Sequence, residues 1–221
     1  MDYGILLFIH ILLMVFWLGT DIGVFVLGRY AMRDSYPPEQ RLAFLEVAMI
    51  LDIFPRVCFS IMGAVGIHLA VKLGFLELPG GALAGVWAAS FFWFCLVGVA
   101  VVKHDQPPAF LARKIERALQ VVLTLVFIGV GTMAFTGAEW ASFPGWLAAK
   151  WIAFGLITAT AVGLDAAFKP AIEGFGALAV DGSSPAVEEK IQKGMNLTYF
   201  WVVCVYILVL ISGGLGAIKP G

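Results

Sequence analysis

Apolar residues along this chain come in six long runs, at about 3–28, 43–73, 82–102, 118–137, 146–168 and 195–217. A membrane span needs about 20 such residues, and every run is of that order. The pattern predicts an all-α fold, a polytopic transmembrane helix bundle of six spans forming a single integral membrane domain over residues 1–221. Between the runs the polar stretches are short, so no extramembrane domain is expected. The first run is too long for a signal peptide and no small-residue cleavage site follows it, so it is expected to remain as a helix of the mature protein. Composition agrees. Hydrophobic residues make up 61% and charged residues 13% of the chain, and a mean hydropathy of +0.95 excludes a soluble domain.

The informative positions are the polar ones inside the apolar runs, because an ionisable group in a bilayer is costly and marks a functional site by default. His10 lies in the first run and His68 near the far end of the second. If these runs are antiparallel neighbours, residues whose numbers add to nearly the same total face each other. The total is 78 for His10 with His68 and 77 for Asp21 with Arg56. One register therefore places two imidazoles at one depth and pairs a buried acid with a buried base. Facing imidazoles in a helix bundle are what axial ligation of a haem iron requires. The plainer alternative is that each histidine hydrogen-bonds across helices.

On the first helix, Met14, Trp17 and Asp21 fall within about 40° of His10, and the opposite face of Leu, Ile, Val and Phe is expected to touch lipid. Gly19 and Gly23 form a small-residue pair that lets another helix approach. On the second run, Ala64 and Val65 share the face of His68, with Gly63 and Gly66 beside it, leaving room for a flat macrocycle. Pro55 breaks the helix one residue before Arg56 and frees a carbonyl near Leu51 and Asp52. Asp21, Asp52 and Arg56 read as a structural ion cluster locking spans one and two, with a proton or electron path as the alternative. Lys150, one turn inside the fifth run, either snorkels outward or, with Lys72, neutralises the propionates of a haem. His104 reads as a solvated loop residue.

Charge sets the expected orientation. The stretches after spans one, three and five carry Arg29, Arg33, Arg41, Lys103, Arg113, Lys114, Arg117, Lys169, Lys190 and Lys193, whereas the other side has Lys72, Lys150 and Lys219. This bias predicts both termini outside the cytoplasm, with Tyr3, Trp140 and Trp146 in an aromatic belt there. His10 and His68 then lie about 10 Å below the outer surface. Cys58, Cys95 and Cys204 fall in separate spans and read as small buried hydrophobes. Neither a covalent haem-attachment motif nor a phosphate loop, nucleophile elbow or zinc-protease motif is present, and nothing points to nucleic acid.

The segment from His10 to Gly19, with Trp17 between, resembles the first helix of the copper-resistance D-like and HemJ-like (protoporphyrinogen oxidase-like) membrane proteins. Trp146 to Trp151, carrying Lys150, is similar to the lysine-bearing helix of the HemJ type, and Pro55 to a proline of their second helix. The resemblance covers about a third of the chain, and it implies a small helical membrane protein holding b-type haem through buried histidines. The expected function is a membrane cytochrome b, with one haem b between His10 and His68 as axial ligands and Lys150, Met14 and Trp17 around it. It would pass electrons between a quinone or other membrane partner and an extracytoplasmic redox protein, as a subunit of a larger complex in the bacterial inner (plasma) membrane. A copper transporter using His10, Met14 and His68 is the second expectation, and a structural subunit without cofactor the third.

Overall fold

The computed structural model describes residues 2–137 and 143–220, which form seven helices and, among the described residues, no strand. They are α1 (Tyr3–Ala31), α2 (Pro38–Leu51), α3 (Ile53–Lys72), α4 (Gly80–Val102), α5 (Pro107–Phe135), α6 (Gly145–Asp181) and α7 (Pro185–Ile218). Five are long and apolar enough to cross a membrane: α1, Gly81–Val102 of α4, α5, α6 and α7. Local chemistry sets several ends. The Asp2 carboxylate accepts from the Gly4 N–H at the start of α1, and Pro38, Pro107 and Pro185 stand in first turns, where a missing N–H costs nothing. Gly182 ends α6 at φ 78°, a conformation that favours glycine.

Two departures from the expected spans have physical causes. The run 43–73 is two helices parted at Asp52. Pro55 has no N–H to offer the Leu51 carbonyl, and its ring crowds that carbonyl, so the ladder breaks one turn before the proline. The stretch after the fifth run is no loop: α6 continues to Asp181 and α7 already begins at Pro185. At 37 residues, α6 is about 55 Å long against a hydrocarbon core of about 30 Å. Its overhang packs with that of α7 around Ala171, Phe175, Leu178, Val187 and Ile191, all buried. The closeness is steric: a Cβ on Gly174 would lie 2.7 Å from Ile191 Cγ1.

Arg41, counted from sequence among the loop cations, pins this overhang to α2. Its side chain is 1% exposed. Nη1 and Nη2 donate to the two carboxylate oxygens of Glu188 at 2.7 and 2.8 Å, and Nε donates to the Ala31 carbonyl at 2.8 Å.

The long helices form a ring in chain order. α3 packs directly on α1, α4 on α3, α5 on α4, α6 on α5 and α7 on α6, and α7 returns to α1; short α2 lies against α1 and α6. Trp17, Phe59, Met62, Trp93, Ile157 and Val205 fill the centre. Ile5, Phe8, Val15 and Ile22 of α1 are exposed on its outer face, where lipid was expected. Of Gly19 and Gly23, only Gly23 meets a neighbour, Leu51. Cys58 is buried, but Cys95 is exposed and Cys204 intermediate. α4 is apolar all round, so its sequence does not tell the inner face from the outer, and Cys95 falls on the outer one with Phe91 and Phe94. Trp140 lies outside the described residues.

Candidate ligand cavity

A cavity of about 420 Å³ opens between α1, α3, α6 and α7. From α1 it is lined by His10, Met14 and Trp17, and from α6 by Lys150 and Trp151. Glycines on the other two helices make the space. A Cβ on Gly66 of α3 would stand 3.5 Å from His10 Cε1. On α7, a Cβ at Gly213 would be 3.1 Å from Met14 Sδ, and one at Gly216 would be 2.5 Å from Lys150 Nζ. Any larger residue at Gly216 would evict the ammonium.

Two polar groups are left without partners inside this apolar and aromatic wall. His10 Nδ1 is buried and makes no hydrogen bond. Lys150 forms no ion pair or side-chain hydrogen bond among the described residues, and it lies within electrostatic reach of His10. Buried polar groups are normally satisfied; here a buried imidazole nitrogen without a hydrogen-bond partner and an ammonium without an ion pair among the described residues line one cavity.

His68 is not part of it. Trp87 Nε1 of α4 donates to His68 Nδ1 at 3.2 Å, with the rings edge to face at 6.0 Å. Residue totals match depth along two helices and ignore rotation about them. Gly66, two positions earlier and about 200° away around the helix, faces His10. Lys72 does not line the cavity either, whereas Lys219 does, its Nζ 5.9 Å from the centre of the Trp146 ring. His104 contacts Asp105 at 2.6 Å in an exposed turn.

The expected ion cluster takes a different form. Arg56 Nε bonds Asp52 Oδ2 at 2.6 Å, one turn apart on the same strip of chain, and the two side chains are 40% and 34% exposed. Asp52 is the junction between α2 and α3, so this hydrogen-bonded pair is local to that junction. Asp21 makes no ion pair among the described residues and lies within reach of Asp52, Arg56 and Tyr206. The structure adds groups that span boundaries concealed. Trp93 Nε1 donates to buried Glu116 at 3.0 Å, and Arg117 meets Asp165 at 3.5 Å. Glu116 and Arg117 sit just ahead of the fourth apolar run, in a stretch that reads as a polar linker but is the second and third turns of α5. An aromatic file joins cluster and cavity: Trp17 to Phe59 at 5.0 Å and Phe59 to Trp93 at 4.8 Å between ring centres.

No group of three or more His, Cys, Asp or Glu side chains close enough to hold a metal ion occurs among the described residues. Comparison with known proteins finds no matching family model, no matching curated protein and no matching solved structure.

Proposed function

We propose that this chain is a haem-binding membrane protein of the b type, carrying electrons between a quinone or other membrane partner and an extracytoplasmic redox protein as a subunit of a larger complex. One observation carries the reading: His10 Nδ1 and Lys150, neither with a side-chain partner among the described residues, share a glycine-walled cavity. The residues fit the group. His10 would offer an imidazole nitrogen to the iron, and Met14, Trp17 and Trp151 would supply apolar walls. Lys150 meets a carboxylate. Bound there, a haem would supply a one-electron iron couple. His68 is left out of the ligand set, so the iron would have one histidine from this chain, and the Trp17–Phe59–Trp93 file would give a packed route to the Glu116 end of the bundle. Copper transport has less support. It needs a further ligand beside His10 and Met14, and His68 lies off the cavity, its Nδ1 accepting from Trp87 Nε1.

The same reading takes α2 and α3 together as a sixth span and places the Tyr3 end of α1 and the Ile218 end of α7 outside the cytoplasm of a bacterial inner membrane, on the Lys and Arg bias. The test is an absorption spectrum of the purified chain, air-oxidised and then reduced with dithionite. The expected result is a Soret band that shifts and sharpens on reduction. A colourless protein, with or without bound copper, overturns the haem reading.

A further inference from the structure

A second ammonium stands at the mouth of the cavity, and its backbone is unusual. Lys219 is the one residue other than glycine with positive φ among the described residues, at φ 50° and ψ 58°. A left-handed residue that closes a helix is ordinarily glycine, because a Cβ crowds the adjoining carbonyl. Here the cap hydrogen bond, Lys219 N–H to the Leu215 carbonyl at 3.0 Å, is made with a lysine. The reversal carries the side chain back over Trp146 and onto the cavity that Lys150 also lines. The two lysines lie within electrostatic reach of each other, and neither has an acidic partner among the described residues. Like charges brought to one concave, largely apolar site repel unless anionic groups come between them.

We propose that the cavity selects a flat apolar ligand bearing two carboxylates, one met by Lys150 inside and the other by Lys219 at the mouth. This rests on the haem reading, whose ligand has two propionates, and it adds to that reading Lys219 and a requirement for two free acids. A quinone, which has no acid, and a fatty acid, which has one, would leave at least one ammonium unmatched.

The full chain in detergent is titrated with haem and with haem dimethyl ester, in which both acids are methylated, following the Soret band. Wild type, Lys219→Gly, Lys219→Gln and Lys150→Gln are compared, and thermal unfolding of each is followed without ligand. Wild type is expected to bind the diacid about 10-fold or more tightly over the diester. Lys219→Gly and Lys219→Gln should each weaken haem binding about 3- to 10-fold and leave diester binding unchanged, the size expected of a partly exposed ion pair. Lys219→Gly should melt no lower than wild type, since glycine suits the left-handed cap. A Lys219 that served only as a helix end would show no loss of haem affinity in either variant, and that result overturns the proposal. Equal binding of acid and ester by wild type overturns it too, while leaving the haem reading in place. No binding of either compound by wild type overturns both.

Discussion

Two positions along α3 separate Gly66 from His68, and that rotation decides which imidazole reaches the cavity. His10 meets the space left by Gly66, while His68 turns to α4 and accepts from Trp87. The consequence is a sharp difference between two outwardly similar substitutions. His10→Ala should abolish the Soret band of the purified protein, and His68→Ala should keep it, with a stability loss of about 1 kcal/mol for the missing hydrogen bond. Spectra and thermal unfolding of the two variants, side by side, check this; loss of the band in His68→Ala would return that residue to the ligand set. His10 stood out in the sequence as a polar residue in an apolar run, and the structure places it on the cavity wall. The direction of His68 was not, because both neighbours of α3 offer aromatic and glycine surfaces and only packing chooses between them.

At the scale of elements, the ends of the helices carry the surprises. Uniformly apolar stretches announce spans, but α6 and α7 continue past them in turns whose apolar residues meet each other, and the early turns of α5 pack Ala112 and Ile115 against Leu96 and Ala100 of α4. Arg41 holds that overhang through a two-pronged pair with Glu188 and a bond to the Ala31 carbonyl. Its side chain is buried, so losing it leaves the Ala31 carbonyl without this donor and the half-buried Glu188 carboxylate with Ser183 as its remaining side-chain donor. Arg41→Leu should lower stability by on the order of 3 kcal/mol, and Arg41→Lys should recover only part, since an ammonium cannot make the paired geometry. Thermal unfolding in detergent reads both; an Arg41→Leu variant that melts like wild type would make the pair incidental. The break at Asp52 was legible from Pro55 and its missing donor. The Arg41–Glu188 pair was not, because its partners are 147 positions apart and a charge count treats each as a free loop cation or anion.

The whole molecule is a ring of six long helices with a short seventh against α1 and α6. The cavity lies toward the end of the ring that holds Tyr3, Trp146 and Lys219, and the basic residues other than Lys72, Lys150 and Lys219 concentrate toward the opposite end, where the overhang of α6 and α7 stands. With that asymmetry, the cavity is expected to open away from the cytoplasm. A reporter that is active only in the cytoplasm, fused after residue 221, should be silent, whereas one inserted at Gly182 between α6 and α7 should be active. The reverse pair of signals would turn the cavity to the cytoplasmic side.

Apolar runs, a proline and a few buried polar residues were enough by themselves to determine an all-helical membrane bundle, the break in its second run, and His10, Met14, Trp17 and Lys150 as candidate residues. These follow from period, length and the cost of burying charge, all of which act along the chain. Only the tertiary structure decided that Lys219 joins Lys150 while His68 and Lys72 stay outside, that Arg56 pairs locally with Asp52, and that Glu116 faces Trp93. Each of those depends on the rotation of one helix against another, and helices that are apolar on every side leave that rotation to packing, where glycines at 66, 213 and 216 set what can fit.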